Sequence, residues 1–129
     1  MNDLNPTVVI ADDERVITTI IGQRLNQLGL SVRHARDAQR AMELVEELHP
    51  DLVLLDVNMP GGGGLAVCEA IKMRADLADI PVVILTGRSD QRTQAKILEL
   101  QATYIAKSTD MWPRIEACVK RLLAEHVPA

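Results

Sequence analysis

Short apolar runs and segments of helical periodicity alternate five times along the chain, and this alternation limits the possible fold more than any other feature. The apolar runs predict strands at residues 8–11, 31–35, 52–55, 82–85 and 104–106. Between them, apolar residues recur every three or four positions, which predicts helices near 14–28, 38–48, 65–75, 90–100 and 110–125. Such alternation is typical of an α/β fold, in which a parallel sheet carries helices on both faces.

Local signals support these helices. Gly29 is a stop signal after the first helix, and Pro113 would fall in the first turn of the fifth, where proline is tolerated. The expected apolar stripe of the first helix contains Val16, Ile17, Ile20, Ile21, Leu25 and Leu28. That of the third helix contains Leu65, Cys68, Ile71 and Ala75.

Length and composition are typical of a single soluble domain. The chain has 129 residues, of which 47% are apolar and 25% are charged. No apolar stretch approaches the roughly 20 residues that a membrane span needs, so we expect no membrane insertion. The net charge of −4 argues against direct binding of nucleic acid. Because Cys68 and Cys118 lie on apolar helix faces, we expect two reduced core thiols and a cytoplasmic location.

Polar residues follow the apolar runs at the ends of four predicted strands. Asp12 and Asp13 follow the first strand, Asp56 the third, Thr86 the fourth and Lys107 the fifth. The carboxyl ends of parallel strands lie at one edge of a sheet, where open α/β folds bind their ligands. We therefore expect these five residues to converge. Asp56 is the most informative, because a carboxylate ending a buried strand is costly unless it is paired or bound to a metal.

The chemistry of this set favours a magnesium site that handles phosphate. Clustered carboxylates repel one another, and a hard divalent cation removes that repulsion. Mg²⁺ fits best, because it takes a few carboxylate oxygens, keeps waters and leaves positions for phosphate oxygens. Lys107 and Thr86 add a cation and a hydroxyl, which completes what reversible phosphorylation of an aspartate needs. The histidines lie apart in the sequence, so we expect surface positions rather than metal ligation for His34, His49 and His126.

Each of these residues also has a simpler interpretation when it is taken alone. Asp12 and Asp13 could be acids that complement the dipole at the start of a helix. Lys107 could be a solvated loop lysine, and Thr86 an ordinary strand end or helix cap. Their joint occurrence at the ends of different strands is what favours a functional site.

The segments around these residues form a set that is similar to a known family. They are residues 10–14 (IADDE), 50–60 (PDLVLLDVNMP), 64–65 (GL), 81–87 (PVVILTG) and 104–107 (YIAK). Together they resemble the receiver domain of two-component response regulators, over nearly the whole chain. The resemblance implies a flavodoxin-like, five-stranded sheet with strand order 2-1-3-4-5. It also implies one receiver domain at residues 7–126, with no output domain in this chain.

The resemblance assigns a role to each site residue. Asp56 would be the phosphoacceptor, and Lys107 would pair with its phosphoryl group. Thr86 and Tyr104 would be the switch residues that alter the face formed by the fourth helix, fifth strand and fifth helix. The Mg²⁺ ligands would be Asp13, Asp12 directly or through water, Asp56 and the backbone carbonyl of Asn58. Tyr104 could instead be an aromatic ring half-buried at a strand end.

The resemblance also implies partners. A sensor histidine kinase or a histidine phosphotransfer protein would supply the phosphoryl group, and a downstream protein or output domain that the sequence does not name would respond. A phosphorylation-dependent dimer is compatible with this behaviour.

Three departures from the family pattern carry their own predictions. Ser108 replaces the proline that usually follows the lysine, so we expect a trans Lys107–Ser108 bond and an altered loop. The stretch 100–104 is one residue shorter than usual, which affects the junction between the fourth helix and the fifth strand. The glycine run 61–64 loses much backbone entropy on ordering, so we expect a mobile loop beside Asp56.

The leading interpretation is a phosphorylation-controlled regulator with at most self-phosphotransfer and slow self-dephosphorylation, rather than a turnover enzyme. A phosphohydrolase with an aspartyl intermediate commonly has a second aspartate where this chain has Asn58. A flavodoxin would need a phosphate loop after the first strand and aromatic rings to stack on the flavin, and aromatics are only 2% of the chain. The runner-up is a degenerate receiver that acts as a phosphorylation-independent interaction domain.

Overall fold

Five strands and five helices alternate in the computed structural model, which describes residues 5–59, 63–87, 91–108 and 110–126. The strands are β1 (Thr7–Ala11), β2 (Ser31–Ala35), β3 (Leu52–Asp56), β4 (Val82–Thr86) and β5 (Thr103–Ala106). The helices are α1 (Arg15–Gln27), α2 (Ala38–Leu48), α3 (Gly63–Lys72), α4 (Gln91–Glu99) and α5 (Met111–His126). Every predicted element is present. None of the helices in these ranges is long and apolar enough to cross a membrane.

The strands form one parallel sheet in the order β2-β1-β3-β4-β5, which confirms the predicted topology. α1 and α5 cover one face, where they pack on side chains such as Ile10 and Leu54. α2, α3 and α4 cover the other face, where they pack on Val9 and Val53. Because neighbouring residues of β1 and β3 serve opposite faces, both strands must be apolar throughout their length.

Two helices end in the same hydrogen-bonded turn, in which one residue adopts the left-handed conformation. After α1 that residue is Gly29, at φ +90°, as its stop signal predicted. After α4 it is Gln101, at φ 58°, and the next N–H, that of Ala102, donates to the carbonyl of Ile97 at 3.1 Å. This turn carries the chain directly from α4 into β5 and accounts for the short junction noted in the sequence.

Several sequence predictions are corrected. Ala75 is exposed beyond the end of α3, and Leu77 and Ile80 supply the core contacts there instead. The α1 stripe is narrower than expected, since Val16 and Ile20 are 71% and 47% exposed.

Part of the glycine run and both cysteines lie among the described residues. Gly63 and Gly64 are buried in the first turn of α3 instead of lying in a loop. The rest of the run, residues 61–62, lies outside the described residues, as does the predicted helix position Asp90. Cys68 and Cys118 are buried free thiols, as predicted.

Candidate functional site

The sheet brings three aspartates together at its carboxyl edge. Ala11 pairs with Leu55 across β1 and β3, so the next residues along each strand, Asp12 and Asp56, lie side by side. Both are almost completely buried, at 2% and 3% exposure, whereas Asp13 is exposed. One carboxylate oxygen from each of the three lies within 4.8 Å of the others, a spacing at which they could hold a metal ion. The predicted convergence of these carboxylates is confirmed.

Lys107 supplies the cation of this cluster. It follows β5, and its backbone N–H donates to the carbonyl of Thr86 at 2.8 Å, which fixes its backbone beside the end of β4. Its Nζ lies 3.0 Å from Oδ2 of Asp12 and 3.3 Å from Oδ1 of Asp56. A third carboxylate, that of Glu14, approaches the same nitrogen to 2.8 Å. The ammonium group therefore links the two buried aspartates to a more exposed acid.

The carboxylate of Asp12 is only half satisfied. Its Oδ1 accepts the backbone N–H of Glu14 at 2.8 Å. Its Oδ2 is buried and accepts no well-directed hydrogen bond from the described residues, although the ammonium of Lys107 is close enough for an ionic contact. A buried oxygen without a hydrogen bond is costly. An oxygen that binds a cation does not need a hydrogen bond as well. The unsatisfied Oδ2 is therefore explained if these carboxylates hold a hard divalent ion.

Burial and charge shift the pKa values of the site. Burial raises the pKa of Asp56 first of all, the nearby charge of Asp12 raises it further, and Lys107 opposes both. Burial alone would lower the pKa of Lys107, but contacts with Glu14, Asp12 and Asp56 raise it above its ordinary value. The lysine is thus firmly protonated, while the cluster around it contains more negative than positive charge.

A pocket of about 420 Å³ opens onto this cluster, and its walls are Asp13, Glu14, Asp56, Asn58, Gly87 and Lys107. The backbone amide of Asn58 partly offsets the rise in the pKa of Asp56. Thr86 is the last residue of β4 and is fully buried. A small anion entering the pocket would therefore meet the Asp56 carboxylate and the Lys107 ammonium together.

The remaining positions predicted from the sequence are Tyr104, the peptide bond after Lys107 and the histidines. Tyr104 is half-buried in β5 and packs near Ile97 and Ala102, where it lines a separate pocket of about 230 Å³. The Lys107–Ser108 bond is trans, as predicted, since no peptide bond of the described residues is cis. His34 and His49 are exposed, on β2 and after α2, and the aspartate cluster includes neither of them; the side chain of His126 lies outside the described part.

Glu14 and Gly64 are parts of the site that the sequence did not predict. The acidic run that contains Glu14 is compatible with a helix start or with the acidic site, but it gives Glu14 no role of its own. No sequence signal gives its contact with Lys107, which is 93 residues away. Gly64 stands in a glycine run and in the segment 64–65 that resembles the family, but neither pattern gives it a role of its own. In the fold a Cβ at this position would lie 2.2 Å from the backbone carbonyl oxygen of Asp56, so α3 approaches β3 more closely than a side chain would allow.

Replacing Gly64 by alanine is therefore expected to destabilise the protein. The clash is with a backbone atom of Asp56, so α3 or β3 must shift, and overpacking of this kind costs about 1–3 kcal/mol. Urea unfolding followed by circular dichroism would measure the loss. The matched control is Gly87→Ala, because nothing lies within 4 Å of a Cβ there. Equal stability of the two variants would contradict the close approach of α3 to Asp56.

Comparisons with known proteins identify the family. A family model described as response regulator receiver domain matches residues 8–116. The chain is 34% identical, over 119 residues, to the phosphate regulon transcriptional regulatory protein PhoB of Klebsiella pneumoniae. That match covers 89% of this chain and 52% of the relative, so the chain spans about half of the relative's length.

Solved structures agree with this result. The signal receiver domain of a signal transduction histidine kinase from Syntrophus aciditrophicus is 30% identical, with a TM-score of 0.87, and the match covers 96% of this chain and 94% of that one. The BeF3-activated N-terminal receiver domain of RstA from Klebsiella pneumoniae is 28% identical, with a TM-score of 0.82 and coverage of 92% and 98%. The chain belongs to the family of response regulator receiver domains of two-component systems.

Proposed function

We propose that this receiver domain accepts a phosphoryl group on Asp56 in a Mg²⁺-dependent reaction and so controls a partner protein in a two-component phosphorelay. The observation that carries the proposal is the contact of Lys107 Nζ with Asp56 Oδ1, at 3.3 Å, in a pocket that Asp13 also lines and beside the buried Asp12. A buried carboxylate with a fixed cation beside it and an open path to solvent is suited to attack a phosphoryl group.

Asp12, Asp13, Asp56 and the backbone carbonyl of Asn58 would hold the Mg²⁺. The unsatisfied Oδ2 of Asp12 and the spacing of the three carboxylates support this assignment. When bound, the ion would screen the negative charge that develops during phosphoryl transfer.

The donor would be a sensor histidine kinase or a histidine phosphotransfer protein. An oxygen of Asp56 forms a bond to phosphorus while the bond from phosphorus to the donor nitrogen breaks, and that nitrogen keeps the electron pair. Lys107 stabilises the transferred group through its ammonium. Hydrolysis by water later returns Asp56 to its carboxylate, so the module resets itself slowly and is not a turnover enzyme.

Thr86 and Tyr104 are the proposed switch residues. Thr86 ends β4 beside Lys107, and Tyr104 lies in β5, which pairs with β4. A phosphoryl group on Asp56 would draw the Thr86 hydroxyl toward it and favour a different position of the Tyr104 ring. The change would alter the face of α4, β5 and α5, on which a downstream partner or a second copy in a dimer would act. The proposed setting is the cytoplasm, where histidine kinases deliver phosphoryl groups.

Incubation with acetyl phosphate and Mg²⁺ tests this function. We expect the intact mass to rise by one phosphoryl group, and we expect a chelator to prevent the rise. Fluorescence of Trp112, the one tryptophan of the chain, should respond to loading because it lies in α5. Absence of both signals would favour the degenerate receiver, which binds its partner without phosphate.

Mg²⁺ alone is expected to stabilise the protein. It binds the folded carboxylate cluster and not the unfolded chain, so at ten times its dissociation constant it should add about 1.4 kcal/mol. Differential scanning fluorimetry over a Mg²⁺ titration would measure the rise in melting temperature. Asp13→Asn should weaken the effect, whereas Asp79→Asn, at an exposed position in the loop after α3, should not. An equal response of both variants would contradict the assigned site.

A further inference from the structure

Glu14 occupies an unusual position for a helix-capping residue. It is the N-cap of α1, yet its side chain makes no capping hydrogen bond to the helix. The carboxylate instead extends across the pocket to Lys107, with Oε1 2.8 Å from Nζ. The hydrogen bond from its backbone N–H to Asp12 Oδ1 fixes the starting point of this side chain. The local turn therefore places Glu14 where its side chain reaches Lys107.

Three carboxylates surround the ammonium group of Lys107, and Glu14 accepts a directed hydrogen bond from it. An ammonium has three N–H donors. Within the described part of the chain, carboxylates of Asp12, Glu14 and Asp56 contact it at 3.0, 2.8 and 3.3 Å. A phosphoryl oxygen that arrives at Asp56 would compete for the donors of Lys107 with Glu14, whose Oε1 already accepts a hydrogen bond from Nζ at 2.8 Å. It would also be a fourth anionic group around a single ammonium, and this crowding favours the release of one carboxylate.

Burial decides which carboxylate leaves. The side chains of Asp12 and Asp56 are 1% and 3% exposed and are fixed at the ends of strands. The side chain of Glu14 is 56% exposed, so water can replace the lysine at little cost. The carboxylate that is easiest to displace also lies at the pocket wall.

We infer that Glu14 is a competing carboxylate, which holds Lys107 in the unphosphorylated protein and must be displaced when Asp56 is phosphorylated. This inference rests on the proposed function of Asp56. It makes Glu14 a positioning residue that sets how readily the site accepts a phosphoryl group. Removal of its charge frees one donor of Lys107 and removes a negative charge from the path of an anion.

Beryllofluoride, which mimics a phosphoryl group on a carboxylate, gives a direct test. With Mg²⁺ at saturation, Glu14→Gln should bind beryllofluoride about two- to fivefold more tightly than the unmodified protein, because exposed ion pairs of this kind are modest in strength. Titration followed by ¹⁹F nuclear magnetic resonance would measure the dissociation constant. Acetyl phosphate should load the variant faster by a similar factor.

Two further variants separate the contact from a general effect of charge. Glu43→Gln removes the same charge from an exposed ion pair with Arg40 in α2, and we expect unchanged affinity. Glu14→Asp keeps the charge but shortens the side chain, so it should weaken the contact and bind beryllofluoride more tightly than the unmodified protein. The ¹⁵N signal of the Lys107 ammonium should shift in both Glu14 variants without any ligand.

The outcomes are distinct. Tighter binding by both Glu14 variants, with Glu43→Gln unchanged, supports displacement of Glu14. Unmodified affinity in Glu14→Asp, or unchanged or weaker affinity in Glu14→Gln, overturns it while the proposed function stands. Failure of the unmodified protein to bind beryllofluoride overturns the proposed function, and the role of Glu14 with it.

Discussion

Replacement of Asp56 by asparagine is expected to abolish phosphorylation by acetyl phosphate completely. The amide is nearly the same size as the carboxylate but has no nucleophilic oxyanion, so the bond to phosphorus cannot form. Asp12 is equally buried, but its two oxygens face the backbone N–H of Glu14 and the ammonium of Lys107. Asp56 is the buried carboxylate that lines the pocket. Intact-mass measurement after incubation with acetyl phosphate and Mg²⁺ would check the result.

The control for this substitution is Asp79→Asn, which makes the same chemical change at an exposed aspartate and should be phosphorylated normally. Phosphorylation of the Asp56→Asn variant at the normal rate would show that a different residue is the acceptor. Peptide mapping of the modified protein would then identify that residue.

The stability of Asp56→Asn should also depend on pH in a defined direction. Burial raises the pKa of Asp56 above its ordinary value of 3.8, so the folded protein holds this proton more tightly than the unfolded chain. Ionised Asp56 therefore reduces stability at pH values above its folded pKa, and this cost disappears as the pH falls below 3.8. Without divalent cations, the variant should be more stable than the unmodified protein at pH 7. The difference should shrink toward acid pH.

Most of the fold follows from the sequence because its signals are local or periodic. Because β3 is buried on both faces, it requires a continuous apolar run, and residues 52–55 supply one. The left-handed turn after α1 requires a residue that tolerates positive φ, and Gly29 supplies it. Ala75 was misplaced because alanine fits both an apolar helix face and an exposed turn, so periodicity alone could not place the end of α3.

The site was predictable to the extent that parallel strands bring their ends together. Asp12, Asp56 and Lys107 converge because the register of β1, β3, β4 and β5 requires it. Glu14 was not predictable in this way, because its contact depends on a side-chain rotamer and a backbone turn at Asp12. The packing of Gly64 against Asp56 depends on the distance between α3 and β3, which no sequence pattern specifies.

Replacement of Lys107 by methionine is expected to lower the stability of the protein more than replacement of any other surface-accessible charged side chain in the described chain. Methionine preserves the length of the side chain but leaves Asp12 and Asp56 buried beside each other without a cation. Removal of one partner from a buried ion pair costs about 3 kcal/mol or more. Urea unfolding in the presence of a chelator would measure the difference. Lys96→Met is the matched control, since Lys96 is 36% exposed and its pairs with Glu69 and Glu99 should contribute less than about 1 kcal/mol.

A double variant shows whether the loss comes from charge. In Lys107→Met with Asp56→Asn, Asp12 no longer faces a second buried charge, so most of the lost stability should return. Mg²⁺ should restore part of the stability of Lys107→Met for the same reason, because a bound cation replaces the missing charge at the three carboxylates. If the effects of the two substitutions on the free energy of unfolding simply add, the loss of stability comes from packing around the lysine stem. In that case the ammonium does not hold the cluster together, and the link between Lys107 and Asp56 that supports the phosphoacceptor assignment would have to be abandoned.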